Sequence, residues 1–149
     1  MDQRAEMINQ VMVHLFNDLM RIEENTLCQG QEKVLSIREI HIIEAVCAAG
    51  SEDNTMTALA QRLRVTVGSL TVAVTTLVRK GYLIRERSRI DKRRIHVLPT
   101  EEGLRVDGLH RDYHARMTQA VMQAVEPEAL DVFLQGLEAV NNYFYSQEE

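Results

Sequence analysis

The chain has no tryptophan, two prolines and two cysteines, and only 5% of its 149 residues are aromatic. So few aromatic side chains disfavour a surface on which single-stranded bases stack. Cys28 and Cys47 form neither a C-x-x-C site nor the set of bridges that stabilises small secreted domains. The scarcity of proline suits a mostly helical chain, and 45% hydrophobic residues are enough for the core of one ordinary domain.

Long apolar runs are also missing. The first residues lack the basic start and apolar stretch of a signal peptide. No segment approaches the roughly 18 apolar residues that span a bilayer. No Ser/His/Asp arrangement, glycine-rich phosphate loop or paired-carboxylate motif indicates an enzyme. We therefore expect a cytoplasmic protein without membrane contact, catalytic residues or a required cofactor.

Positive charge, by contrast, is concentrated in residues 79–94, RKGYLIRERSRIDKRR. This segment contains eight Lys or Arg and two Asp or Glu, a net charge of +6. The whole chain carries −5, so its other residues sum to −11. A local basic segment on an acidic protein indicates a site that binds phosphates.

Two short helices joined by a tight turn are predicted beside this segment. The first covers residues 55–63, Arg64 and Val65 form the turn, and Thr66 caps a second helix that ends at Gly81. This spacing is typical of a helix-turn-helix. The second helix carries exposed hydroxyl groups, which suit contacts to base edges and phosphates.

A β-hairpin is predicted next, because residues 82–86 and 94–98 alternate as strands and RSRID joins them. Pro99 ends the second strand, and Thr100 caps a long helix that stops before Pro127. A last apolar-faced helix follows.

Upstream of the helix pair, residues 5–24 have the spacing of a helix with one apolar stripe. Ser36 and Glu39 form a capping box that opens another helix, which stops near Gly50.

These elements predict a mainly α fold with a small β wing, a winged helix-turn-helix within a single domain, 1–149. Residues 35–100 form the DNA-binding module, and residues 1–34 and 101–149 supply the flanking helices. The core of so small a module cannot cover the apolar stripes of those helices. We therefore expect them to pack on each other and on a second copy, giving a homodimer that binds a pseudo-palindromic site in double-stranded DNA.

The segment DKR at residues 91–93, followed by Thr100 and Gly103, resembles the D-x-R…T-x-x-G wing signature of the MarR family of winged-helix transcription regulators. The order of helices is similar to that family across essentially the whole chain. One branch, the FabT-like repressors of fatty-acid synthesis, is similar in SIREIH, in TVGSL followed by LVRKGY, in RIDKRR and in LHRDYHARM. Pro99 departs from the family, which usually has an apolar residue there, and should alter how the strand enters the helix.

The resemblance implies that Asp91 braces Arg93 and that Arg93 enters a minor groove. Base recognition is expected from Ser69, Leu70, Thr71 and Thr75. Phosphate contacts are expected from Arg79, Lys80, Arg85, Arg87 and Arg94. Thr66, Arg89, Asp91, Lys92 and Arg93 complete the expected DNA-binding set.

The FabT-like resemblance also implies an effector, a long acyl chain presented on acyl carrier protein that tightens DNA binding as a corepressor. The acyl chain needs an apolar cavity, for which the candidates are Leu19, Ile22, Ile43, Tyr113 and Met117. The carrier protein is acidic, so it needs a basic landing surface, for which the candidates are Arg38, Arg111 and Arg116.

A zinc-responsive regulator of metal uptake genes is the alternative. His110 and His114 are four residues apart, so they share one helix face at a spacing that can chelate zinc. Zinc-sensing members of the same family use a Glu and three His at positions similar to Glu24, His41, His110 and His114. The interpretation without a metal, which the weak specificity of this spacing favours, is that these histidines are buried hydrogen-bonding groups.

Three further alternatives stay open. Cys28 is a candidate oxidation sensor, although its lack of a basic neighbour other than Lys33 favours a plain loop or core thiol. The effector could be another small molecule. The chain could also be an architectural DNA-binding protein that has no effector.

Overall fold

The computed structural model of the chain describes residues 2–28, 35–50 and 53–147, apart from the side chains of residues 24 and 26–28. The chain divides into two compact units, Met1–Arg111 and Asp112–Glu149. Its elements in chain order are α1 (Gln3–Cys28), α2 (Ile37–Ala48), α3 (Met56–Leu63), α4 (Val67–Lys80), β1 (Leu83–Arg87), β2 (Ile95–Pro99), α5 (Glu101–Ala124), a 3₁₀ turn (Pro127–Ala129) and α6 (Leu130–Ser146).

Local capping explains where the helices of the first unit begin and end. Ser36 Oγ accepts the backbone N–H of Glu39, and the Glu39 carboxylate accepts the N–H of Ser36, which completes the predicted capping box at the start of α2. α4 ends at Gly81, whose φ of 87° is a left-handed conformation that side chains rarely adopt. The predicted winged helix-turn-helix, mainly helical with a small β wing, is confirmed.

The boundaries differ slightly from those expected. α1 is longer than the predicted 5–24, and both strands begin and end one residue later than predicted. Pro99 belongs to β2, where it is the register partner of Leu83 at the end of the hairpin. A proline is tolerated there because position 99 alternates with Thr100, whose N–H faces β1, so the missing N–H of Pro99 lies on the outer side of β2.

The core of the first unit lies between α2, the helix pair, the base of the wing and the start of α5. Its members are aliphatic and at most 1% exposed: Leu35, Ile40, Ile43, Leu59, Leu70, Val74, Leu77, Leu83, Val97 and Val106. Because α4 (the recognition helix of the helix-turn-helix) and the wing share this core, it fixes their positions relative to each other.

The apolar stripes of the terminal helices remain exposed in the single chain. In α1, Met7, Ile8, Val11, Leu15 and Met20 are between 53% and 63% exposed. In the second unit, Leu134, Leu137 and Phe144 of α6 are between 47% and 52% exposed. Within the described residues, no helix has both the length and the apolar character needed to cross a membrane.

Candidate nucleic-acid interface

The helix-turn-helix is formed by α3 and α4, each opened by a threonine. Thr55 Oγ1 accepts the backbone N–H of Ala58 at 3.3 Å, and Thr66 Oγ1 accepts that of Ser69 at 3.1 Å. Between the helices Arg64 is left-handed, with φ 54° and ψ 44°, which is uncommon for a residue other than glycine. The turn is therefore short and sharply defined, as predicted.

The outward face of α4 carries five exposed residues whose spacing places them on one side of the helix: Gly68, Thr71, Val72, Thr75 and Arg79. Leu70 does not belong to this face. It is 1% exposed, so the prediction that it contacts bases is wrong. The most exposed apolar side chain of the helix is Val72, at 70%, followed by Val67 at 44%. Val72 was not predictable from the sequence, because a helix rich in Val and Thr has no strong contrast between its faces.

The threonine hydroxyls of α4 are already engaged as donors. Thr71 Oγ1 donates to the carbonyl of Val67 and Thr75 Oγ1 donates to the carbonyl of Thr71, both at 2.7 Å. Arg85, from β1, donates to the Thr71 carbonyl at 3.1 Å and to Thr75 Oγ1 at 2.8 Å. Arg85 therefore joins the wing directly to the recognition helix.

Two polar contacts fix α4 against α2. Lys80 Nζ lies 2.7 and 2.9 Å from the two carboxylate oxygens of Glu39. Arg38 Nη2 donates to Ser69 Oγ at 2.9 Å. Burial raises the pKa of the Glu39 carboxyl, but the hydrogen bonds from Lys80 and Ser36 outweigh it, so this pKa lies below its usual value. Lys80 was predicted to bind phosphate, and this ion pair holds its ammonium at the end of α4.

The wing is an antiparallel hairpin in which Arg85 is the register partner of Val97 and Arg87 is that of Ile95. Its base is attached to the loop before α3, because the N–H of Val97 donates to the carbonyl of Asn54 at 2.9 Å. Asn54 is buried, and its side chain hydrogen-bonds the ring of His96.

The wing tip is closed by its own hydrogen bonds. The N–H of Ser88 donates to the carbonyl of Arg94 at 2.9 Å, and Ser88 Oγ accepts the N–H groups of Ile90 and Asp91, both at 3.2 Å. Asp91 Oδ1 accepts the backbone N–H of Arg93 at 3.0 Å. The brace expected between Asp91 and Arg93 thus acts on the backbone of Arg93. A short loop held in this way presents its side chains in a fixed arrangement.

Besides Arg85, five predicted DNA-binding cations of the wing are exposed: Arg87, Arg89, Lys92, Arg93 and Arg94. Among them lies Ile90, which is 100% exposed and which sequence analysis did not select. Its position in a hairpin turn of otherwise charged residues was the sequence signal that could have identified Ile90 as a candidate contact residue. The tip thus offers both positive charge and apolar surface.

The T-x-x-G part of the signature joins the wing to α5. Thr100 Oγ1 donates to the Gly81 carbonyl at 2.7 Å and accepts the N–H of Gly103 at 3.1 Å. A Cβ at Gly103 would lie 2.3 Å from the carbonyl oxygen of Tyr82, so any side chain there forces the backbone apart. The threonine and the glycine therefore fix α5 to the end of α4.

A buried polar cluster lies in the first unit, away from the wing. His110 Nε2 is 2.6 Å and His41 Nε2 is 3.5 Å from the same oxygen of Glu23, and Glu23 and His110 are at most 3% exposed. One potential ligand atom from each of the three residues falls within 4.8 Å of the others. The carboxylate that joins the two histidines is Glu23. The side chain of Glu24, the expected ligand, is outside the described part of the chain, and His114 belongs to the second unit.

Further ionisable groups lie beside this cluster. Arg111 Nε is 3.1 Å from Asp107 Oδ2, and Glu44 Oε2 is 3.7 Å from His110 Nδ1. Burial raises the pKa of the Cys47 thiol to about 11, so this thiol is protonated and unreactive at neutral pH. The side chain of Cys28, the expected oxidation sensor, lies outside the described residues.

The residues expected to line an effector cavity are divided between the two units. In the first unit Leu19 is half-buried, Ile22 is 43% exposed and Ile43 is fully buried. Tyr113 and Met117 belong to the second unit, where Met117 is 38% exposed. Their role in binding an acyl chain stays a prediction.

Comparisons with known proteins relate the chain to DNA-binding regulators. A profile of the MarR family matches residues 35–94. The crystal structure of Streptococcus pneumoniae FabT in complex with DNA is 30% identical, with a TM-score of 0.85, and the match covers 96% of this chain and 99% of that one. The uncharacterized HTH-type transcriptional regulator YhjH of Bacillus subtilis is 24% identical over 122 residues, 77% of this chain and 67% of that protein.

Zinc-responsive ZitR of Lactococcus lactis, also a MarR family member, has a TM-score of 0.64 at 20% identity, over 92% of this chain and 99% of that one. At that identity the likeness shows the fold alone. The FabT match is stronger, since it combines 30% identity with nearly complete coverage of both chains. With the profile match and the wing signature in place, the chain belongs to the MarR family as a DNA-binding transcription regulator, and it is not an enzyme.

Proposed function

We propose that the chain is a homodimeric repressor of fatty-acid synthesis genes whose operator affinity is increased by long-chain acyl groups on acyl carrier protein. The observation that carries this proposal is the 30% identity to FabT over 96% of the chain. The local matches in the helix before the wing and in the long helix support it.

The exposed apolar stripes support the homodimer. Burying an apolar side chain that is half exposed is favourable by about 25 cal/mol per Å² of surface removed from water. α1 alone carries five such side chains above 50% exposure. A second copy that covers them would also hold two recognition helices at half-sites roughly 10 base pairs apart.

Analytical ultracentrifugation at micromolar concentration tests the dimer. Val11→Glu, on the exposed apolar stripe, should shift the protein toward monomer and weaken operator binding. Asn17→Glu, an exposed polar position of the same helix, is the matched control and should leave both unchanged. A wild-type protein that binds DNA tightly as a monomer would contradict the proposal.

Arg38 links carrier-protein binding to the recognition helix in this proposal. It is exposed, and it donates to Ser69 of α4 at 2.9 Å. An acidic partner that docks on Arg38 therefore acts on a contact of the recognition helix. Arg111, which is 70% exposed beside Asp107 in the same unit, supplies further positive charge for docking. Arg116, the third candidate, is an exposed residue of the second unit.

The test is operator affinity, measured by fluorescence anisotropy on promoter DNA from the chain's own gene neighbourhood. Long-chain acyl carrier protein should tighten binding, and carrier protein without an acyl chain should not. Arg38→Ala should reduce the response, whereas Arg21→Ala, an exposed arginine on α1 paired with Asp18, should not. No response to the acylated carrier would refute the fatty-acid proposal.

A second candidate function, zinc-dependent regulation, is favoured by the cluster of Glu23, His41 and His110. Imidazole nitrogens and carboxylate oxygens are common zinc ligands, and three protein ligands with one open position suit an exchangeable ion. Bound zinc would supply positive charge, which would hold the carboxylate and the two imidazoles together as ligands. Because His110 Nε2 and Glu23 Oε1 share a hydrogen bond at 2.6 Å, binding the ion must displace a proton.

Calorimetry with zinc alone tests this candidate, because proton release makes the measured heat depend on the ionisation enthalpy of the buffer. His110→Ala should abolish zinc binding together with any chelator-sensitive change in DNA affinity. His14→Ala, an exposed histidine of α1, is the control. If acyl carrier protein does not change operator affinity, but zinc changes it in a way that His110→Ala abolishes, the zinc function replaces the fatty-acid proposal.

A further inference from the structure

The outward face of α4 has an unusual composition for a helix that enters a major groove. No charged residue precedes Arg79 in VGSLTVAVTTLVRK. Guanine is most often recognised by the two donors of an Arg or Lys, which bind its O6 and N7 acceptors. The first three turns of α4 lack those donors, so they cannot bind guanine in this two-donor way.

The hydroxyl of Thr71 is restricted to one hydrogen-bonding role. A hydroxyl has a single hydrogen, and Thr71 donates its own to the Val67 carbonyl at 2.7 Å. Toward DNA its oxygen can therefore only accept. Thr75 is restricted in the same way, and its oxygen already accepts from Arg85 at 2.8 Å. Thr71 is thus the better placed of the two to accept from a base.

Apolar surface surrounds this acceptor. Val72 is 70% exposed on the same face, and Thr71 and Thr75 each add a methyl group. Arg85 holds this face in place, because it donates to both the Thr71 carbonyl and the Thr75 hydroxyl. The result is a rigid, mostly methyl-covered surface with an acceptor oxygen at Thr71.

In the major groove only adenine N6 and cytosine N4 are donors, and only thymine carries a methyl group. An A·T pair presents both a donor and a methyl, whereas a G·C pair presents a donor with two acceptors and no methyl. We propose that α4 selects A·T pairs at the centre of each half-site. Val72 packs on a thymine methyl, and Thr71 Oγ1 accepts from an adenine N6 amino group.

This inference rests on DNA binding alone and is independent of the effector. Sites are first selected by the wild-type protein from random duplex DNA. Each selected thymine is then replaced by uracil, which lacks the methyl, and each adenine by purine, which lacks the amino group. One or more thymine replacements should weaken binding about fourfold, the effect of removing one buried methyl-sized group.

Variants assign the contacts. Val72→Ala should bind thymine and uracil duplexes equally. Thr71→Val keeps the shape but removes the oxygen, so it should lose the preference for adenine over purine, and Thr71→Ser should retain it. Thr76→Val is the matched control, because Thr76 also donates to a helix carbonyl but is half-buried. Thermal unfolding and non-specific DNA binding confirm that each variant is folded.

Three results would overturn the proposal. The first is that selected half-sites carry G·C pairs at the positions whose preference changes in the Val72 and Thr71 variants. Uracil and purine replacements could leave wild-type affinity unchanged. Thr71→Val could also weaken binding to adenine and purine duplexes by the same factor, which would show that its oxygen supports the helix and does not contact a base.

Discussion

At the scale of single residues, the carboxylate of Asp91 shapes the wing tip by accepting the backbone N–H of Arg93 at 3.0 Å. Arg93→Ala should weaken operator binding by about 1.5–3 kcal/mol, the range for hydrogen bonds to charged groups. Asp91→Ala should weaken it less, because it loosens the tip and removes no DNA contact. Operator affinity measured by anisotropy checks both variants.

Asp91→Asn is the matched control for this prediction. Its amide oxygen can still accept the N–H of Arg93, so the tip should keep its shape while losing one negative charge. Asp91→Asn should therefore bind at least as tightly as the wild type. If it weakens binding as much as Asp91→Ala does, the charge of Asp91 matters and its contact with the backbone does not.

Predictions for single residues succeeded where the interaction joins residues close in sequence, and they failed where it depends on how distant segments pack. The caps at Ser36 and Thr66 were predictable, since each involves a residue three positions away. Leu70 was placed on the DNA side because periodicity does not show which face of a helix meets the core. The carboxylate of the histidine cluster is Glu23, and which α1 residue turns toward α5 is set by long-range packing.

At the scale of elements, the close approach of Gly103 to Tyr82 fixes α5 against the end of α4. Gly103→Ala should lower the free energy of unfolding by about 1–3 kcal/mol, the usual cost of overpacking a tight core. Urea unfolding provides the measurement. Gly108→Ala is the control, because a Cβ there meets nothing within 4 Å and alanine favours the same helix. A loss of equal size in both variants would contradict the steric explanation.

The ion pair of Glu39 with Lys80 makes the attachment of α2 to α4 depend on pH. The pKa of the Glu39 carboxyl is lower in the folded chain than its unfolded value of about 4.3. Its charged form therefore stabilises the fold above that value, and this contribution is lost as the pH falls through the folded pKa. Glu39→Gln should be less stable than the wild type at pH 7, and the difference should disappear in acid.

Urea unfolding of both proteins between about pH 7 and pH 3 measures this difference. Glu102→Gln is the control, because Glu102 pairs with Arg105 on the surface, where such pairs contribute little. A stability difference for Glu39→Gln that stays constant over this range would show that the carboxylate charge is not responsible.

The types of element were largely predictable, because helical periodicity, helix caps and the alternation of the hairpin strands depend on residues that are close in sequence. The shift of both strands by one position was not predictable. It depends on the contact of Thr100 with the Gly81 carbonyl at the end of α4 and on the pairing of Pro99 with Leu83. The partners of Arg38 and Lys80 were equally unpredictable, since their contacts span 31 and 41 residues of sequence.

At the scale of the whole molecule, the contrast between a +6 segment and a remainder of −11 should govern DNA binding. In the proposed dimer the exposed cations of the two wings would meet the phosphates, and the acidic remainder of the chain would be repelled by them. Affinity should fall by roughly 10³ or more between 50 and 200 mM salt, as for proteins with six to ten phosphate contacts. The slope of log affinity against log salt measures this, and a nearly flat slope would show that the wings do not meet the phosphates.

The contact of Arg85 with α4 has a mechanical consequence for the DNA. It couples an element suited to a major groove with one suited to the neighbouring minor groove, so neither can rotate independently about the duplex axis. The angle between adjacent grooves changes when DNA is overwound or underwound. We therefore expect a regulator held in this way to respond to torsion, so that its occupancy of a promoter follows the superhelical state that transcription itself creates.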